Sequence, residues 1–250
     1  MSFPTTNWTL LAQATLRGDE SGRAALARLC ESYRRPVISY LTARGLDSHA
    51  VEDSAQDFFL KLINSKAWKQ ADRMKGKFRT YLLTILNYMM MHQWRHEHAQ
   101  KRGGGIEAES LDTFQDEGRE VALLDPRETE AYDHEWALTL VESAMSVVER
   151  EFADRGQELM FTTLRGFLPG AADTLSYEAA AVELGISYAA TKAAVHRLRQ
   201  RFREVVRAAV SRTVSAPHEV DEELRYLGTL LLEHQNHPQP AVENGKENCA

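Results

Sequence analysis

Cysteine is scarce in this chain: Cys30 and Cys249 are the only two in 250 residues. One lies on an apolar helical face and the other in a polar tail. Two such thiols exclude a disulfide framework and a cysteine zinc cluster, and a reducing cytoplasm is the expected compartment. No run is long and apolar enough to cross a bilayer, so no membrane partner is expected. The opening residues, MSFPTTNWTLLAQ, lack the basic stretch and apolar core of a secretory signal. Strand-like alternation is missing too, and there is no internal repeat. With 43% hydrophobic residues the chain can nevertheless bury a core. An all-α protein with two helical domains is predicted.

Positive charge is not in excess, since the net charge is −6. That argues against a protein that coats nucleic acid indiscriminately. The charge is unevenly placed, however. Residues 107–135 hold many acids against two bases, Arg119 and Arg127, whereas 73–102 and 192–212 are strongly basic. Phosphate attraction is local at physiological salt, so two basic islands on an acidic chain suggest two nucleic-acid surfaces and an acidic connector.

Periodicity predicts a short helix with Trp8, Leu10 and Leu11, broken by Gly18 and Asp19. A long helix over 21–44 should bury Leu26, Leu29, Cys30, Tyr33, Val37, Tyr40 and Leu41, with a kink or break near Arg35 because Pro36 lies inside it. The next helix, 48–62, buries Val51, Ala55, Phe58, Phe59 and Leu62. Asp53, Gln56 and Asp57 share its other face at i, i+3 and i+4. Residues 64–77 read as a polar loop. A helix then opens at Phe78 with Tyr81, Leu82, Ile85 and Met89 as core. It mixes cations with rings, as in Arg79, Tyr88, Trp94, Arg95 and His96, a composition that suits single-stranded or opened nucleic acid. Gly103–Gly105 ends the first half, and 106–129 reads as a flexible linker. Helices follow from Tyr132 to about Phe152 and over 157–167, the latter ended by Pro169 and Gly170.

Residues 175–206, LSYEAAAVELGISYAATKAAVHRLRQRFREVV, form the clearest motif. Ser176 caps a short helix carrying Ala179, Ala180, Val182 and Leu184 as apolar positions. Gly185 ends it, since the residue after a helix often needs positive φ. Ser187 caps a second helix with an apolar stripe of Val195, Leu198, Phe202, Val205 and Val206, and with Lys192, His196, Arg197, Arg199, Arg201 and Arg203 on its other faces. That is a helix-turn-helix pattern, whose second helix enters a major groove; its bland counterpart is a helical hairpin with a solvated basic face. A last helix spans 220–234 with Leu224, Leu227, Leu230 and Leu231, before a polar tail.

Catalytic and metal residues are not expected. Asp53 and Asp57 have no third ligand or nucleophile nearby, and His92-Gln-Trp-Arg-His96 lacks the glutamate of the metalloprotease pattern. No cofactor is expected.

In four stretches the chain resembles the extracytoplasmic-function (ECF) sigma factors of bacterial RNA polymerase, within the sigma-70 family. VEDSAQDFFLKL is similar to region 2.2, KGKFRTYLLTILN to region 2.3, HQWRHEHAQKRGGG to region 2.4, and the helix-turn-helix to region 4.2. DEELRYLGTLLL, 221–232, resembles a C-terminal extension of a planctomycete-type subgroup. The resemblance implies a region 2-like domain (1–105), an acidic linker (106–130), a region 4-like domain (131–214) and a C-terminal helix with a tail (215–250). It implies that Asp53, Gln56 and Asp57 meet core polymerase at the β′ clamp, with the β flap as a further contact. Arg73, Lys75, Lys77, Phe78, Arg79, Tyr81, Asn87, Tyr88, Trp94, Arg95 and His96 would bind the −10 promoter element. Ser187, Tyr188, Ala190, Thr191, Lys192, His196, Arg197 and Arg199 would bind the −35 element. The chain departs from the subgroup pattern at His92, Gln93, His96 and Thr191. Control by an anti-sigma factor, a kinase or the C-terminal helix stays open. The competing readings are a stand-alone helix-turn-helix regulator and a helical metalloenzyme.

Overall fold

The computed structural model describes Trp8, Leu11, Ala14 and residues 20–100, 124–169 and 175–236. Most of the first predicted helix, Lys101, Arg102, Gly103–Gly105, linker residues 106–123, Gly170 and the tail from 237 lie outside the described residues. Within them are eight α-helices and no strand: α1 (Glu20–Ala43), α2 (Ser48–Asn64), α3 (Phe78–Gln100), α4 (Pro126–Ala153), α5 (Glu158–Leu164), α6 (Tyr177–Leu184), α7 (Tyr188–Ser211) and α8 (Val220–Asn236). The predicted all-α class holds. No described helix is long and apolar enough to cross a membrane.

Helix starts follow side-chain caps. Asp47 accepts the backbone N–H groups of His49 and Ala50, each at 3.0 Å, and so starts α2. Asp125 accepts the Arg127 N–H at 2.8 Å, with Pro126 in the first turn. Helix α4 thus begins at Pro126, ahead of the Tyr132 start that periodicity predicts, and the end of the expected linker is helical. Its first turn carries no apolar residue, so only the cap marks it.

Pro36 does not break α1. A helical proline forfeits one backbone bond, but Tyr33, Val37, Tyr40 and Leu41 around it are fully buried. Their packing holds the axis through the defect. The predicted loop 64–77 holds two short 3₁₀ turns, Ala67–Gln70 and Arg73–Lys75, and buries Trp68.

Two apolar cores form. The first gathers α1, α2 and α3 with Trp8 and Leu11 against it. The second gathers the C-terminal half of α4 with α5, α6 and most of α7. Helix α4 belongs to both. Tyr132, Trp136 and Ala137 enter the first core, and Ala144, Val147, Val148 and Phe152 enter the second. The end of α7 (Val210) and α8 (Val220, Leu227 and Leu230) also return to the first core. Ion pairs reinforce the junction, with Arg35 on α1 reaching Glu135 at 3.0 Å and Glu142 at 2.5 Å on α4.

Candidate nucleic-acid and polymerase interface

Helices α6 and α7 build the predicted hairpin as written in its caps. Ser176 Oγ accepts the Ala179 N–H at 3.1 Å, and Ser187 Oγ accepts the Ala190 N–H at 3.2 Å. Gly185 between them has φ +63°, the left-handed conformation that a side chain resists. The buried face of α6 differs from the predicted one. Ala180 and Ala181 are buried, whereas Val182 is 83% exposed. Small residues allow α6 close against α7, and this rotates Val182 outward. On α7, Val195, Leu198, Phe202 and Val205 are buried as predicted.

The residues predicted for the −35 element divide in two. Ser187, Tyr188, Ala190, Lys192, His196 and Arg197 are exposed. Thr191 is fully buried and its hydroxyl donates to the Ser187 carbonyl at 3.1 Å. Arg199 is half-buried, with Nε donating to the Phe167 carbonyl at 2.9 Å. The Lys192 ammonium sits 4.7 Å from the Tyr188 ring centre and 5.9 Å from that of Tyr177. The start of α7 thus offers a cation over two rings beside small side chains, suited to phosphate and base edges together.

On α2, Asp53 and Gln56 are exposed and Asp57 is half-buried. Among the described residues the two carboxylates pair locally on the same helix, Asp57 with Lys61 at 2.7 Å and Asp53 with His49 at 3.6 Å. Exposed i, i+4 pairs of this kind hold weakly and exchange readily for a stronger cationic partner. Leu60 and Ile63 are also exposed. Leu60 stands at i+7 from Asp53, so an apolar residue extends the acidic stripe. Periodicity assigns Leu60 neither to the buried stripe of 48–62 nor to its acidic face. The i+7 step was the available signal.

Along α3, Lys75 just before it and Arg95 near its end are exposed, and Tyr81 and Tyr88 are half-buried. Tyr81 donates its hydroxyl to the Ala67 carbonyl at 2.7 Å, and burial pushes its pKa up to about 12. Phe78 is core. Asn87 is buried and accepts from Tyr40 at 3.1 Å and from Arg44 at 3.0 Å. The side chains of Arg73, Trp94 and His96 lie outside the described residues.

Lys77 and Arg79 enter a charge network that no single stretch of sequence announces. Both donate to Glu223 of α8, Lys77 to Oε2 and Arg79 to Oε1. Arg79 also donates through Nε to Asp133 of α4 at 2.9 Å, and its guanidinium stacks 4.6 Å from the Trp136 ring centre. Tyr226 of α8 donates its hydroxyl to the other oxygen of Asp133 at 2.6 Å. Burial, and then the neighbouring Arg79, hold the Lys77 pKa below its ordinary value. Burial, followed by the bond to Asp133, raises that of Tyr226. Two cations and two carboxylates from three separate segments balance here.

Residues 29–100 match the family model for Sigma-70 region 2. The match spans α2 and α3 with most of α1, and supports a sigma-70 family sigma factor that recognises promoters and binds RNA polymerase. Sigma factors are not a catalytic enzyme family. No curated protein and no solved structure matches the chain.

Proposed function

We propose that the chain is an ECF-type sigma factor that binds core RNA polymerase, recognises −35 and −10 elements and promotes promoter melting. The observation that carries this reading is the Sigma-70 region 2 match over residues 29–100, in a chain that also holds the 177–211 helix-turn-helix. The polymerase contact is assigned to Asp53, Gln56 and Asp57, with Leu60 beside them, facing a basic partner helix where charge complementarity sets register. The −35 contact is assigned to the start of α7. Arg197 positions the helix on phosphate, while Tyr188, Ala190 and Lys192 lie nearer base edges. Lys75, Lys77, Tyr88 and Arg95 are the accessible or partly accessible residues of the −10 surface, and Arg79 joins them once its carboxylate partners let go. There the protein would hold an unstacked base, at a cost of about a few kcal/mol. The C-terminal helix sequence supports placement in the planctomycete-type subgroup.

Promoter-specific initiation on genomic fragments with core polymerase tests the reading. New start sites that depend on the protein are expected, and none at all would overturn it. Asp53→Arg with Asp57→Arg should abolish core binding while far-ultraviolet circular dichroism stays unchanged. Unaltered affinity would remove the assignment of that face.

A further inference from the structure

Glu223 lies 146 residues from Lys77 and 144 from Arg79 in sequence, yet its two carboxylate oxygens take one cation each. Its side chain is wholly buried, while that of Lys77 keeps 32% of its exposure. A carboxylate dividing two oxygens between an ammonium and a guanidinium is the arrangement a nucleic-acid phosphate makes with the same pair. A buried carboxylate must keep such partners, so docking of α8 and occupation of these two cations are one event. Without α8, Arg79 retains Asp133 and Trp136 but the pair regains net positive charge.

Helix α8 docks along one stripe, with Leu224 and Leu231 only partly buried beside it. Val220, Leu227 and Leu230 are buried, but Tyr226 and Leu232 are exposed. Gly228 sits mid-helix, and a Cβ added there would meet nothing within 4 Å. Packing therefore does not demand a glycine, and a glycine weakens the helix. Weak helices with few buried contacts open first.

We propose that α8 is an internal competitor for nucleic acid: the Glu223 carboxylate occupies Lys77 and Arg79 in place of a strand phosphate, and the strand reaches both cations only when α8 leaves. This rests on the proposed promoter-strand role of that surface. Tyr226 on Asp133, and Asp221 paired with Arg207 of α7, brace the latch on either side of Glu223. Release thereby also breaks the Arg207–Asp221 pair to the end of α7. An apparent affinity falls by the fraction of molecules that are competent to bind, so a latch closed about nine-tenths of the time weakens strand binding about tenfold.

Fluorescence anisotropy of a labelled single-stranded oligodeoxynucleotide, titrated with the full chain at fixed salt, tests this. Glu223→Gln should tighten binding about tenfold, and adding Lys77→Ala should remove most of that gain. Gly228→Ala should act in the opposite sense, strengthening α8 and weakening binding about fourfold. Affinities within twofold of the unaltered chain for folded Glu223→Gln and for Gly228→Ala would overturn the proposal and leave the network purely structural. If Glu223→Gln does not fold, Gly228→Ala decides alone. Initiation with core polymerase, run in parallel, separates the two claims. Normal initiation with unmoved DNA affinities sinks the latch only. Shifted affinities with no initiation by any variant sink the sigma reading and keep the latch.

Discussion

Cys30 has the environment of an inert thiol. Burial, only partly offset by a backbone hydrogen bond, raises its pKa from 9.0 to about 11. The thiolate is the nucleophile, so two units mean about a hundredfold less of it near pH 8. Iodoacetamide labelling of the Cys30 peptide, read by mass spectrometry, should be slower by about that factor in the folded chain than in the same chain unfolded in urea. Equal rates would show a thiol that folding leaves open to solvent. The sign for stability follows. Folding favours the protonated thiol, so this contribution is fully present below pH 9 and is lost as pH rises through 11. Thr191 illustrates the same scale differently. Its hydroxyl is spent on the Ser187 carbonyl, so a polar letter in the first turn of α7 packs as core.

Single elements are set by their ends. The α6–α7 turn depends on two serine caps and one left-handed glycine. Ser187→Ala should cost about 1 kcal/mol, read as a lower urea midpoint at constant m. Gly185→Ala should cost about 1–2 kcal/mol by the same measurement, all of it from the backbone, because a Cβ there would meet nothing within 4 Å. A midpoint unmoved by either change would mean that the hairpin is held by packing alone. These ends were legible beforehand because caps are chemistry within three residues. The buried face of α6 was not, since the choice between Ala181 and Val182 depends on how close α7 comes. The exposed stripe of α2 was half legible: its acids stood out, and Leu60 did not.

At the scale of the molecule, α4 is the shared beam. Its 28 residues span about 42 Å and enter both cores. Trp136 is buried in the first core and stacks on Arg79, which in turn holds Glu223. Trp136→Ala should therefore destabilise the chain by about 3–5 kcal/mol. It should also speed hydrogen exchange of α8 amides more than those of α6. Equal changes in both helices would mean that Trp136 acts on global stability alone.

The sequence by itself determined the all-helical character, the two serine caps of the hairpin, the turn at Gly185, and the stretches where acids, cations and rings collect. Each of these is local, written in hydrophobic period or in hydrogen bonds a few residues long. Which cations are free was decided only by tertiary structure. Lys77 and Arg79 read as strand-binding residues in isolation, and their neutralisation by Asp133 and Glu223 joins positions more than fifty and more than one hundred and forty residues away. A buried ion pair has no period and no spacing, because its partners are chosen by which helices pack together.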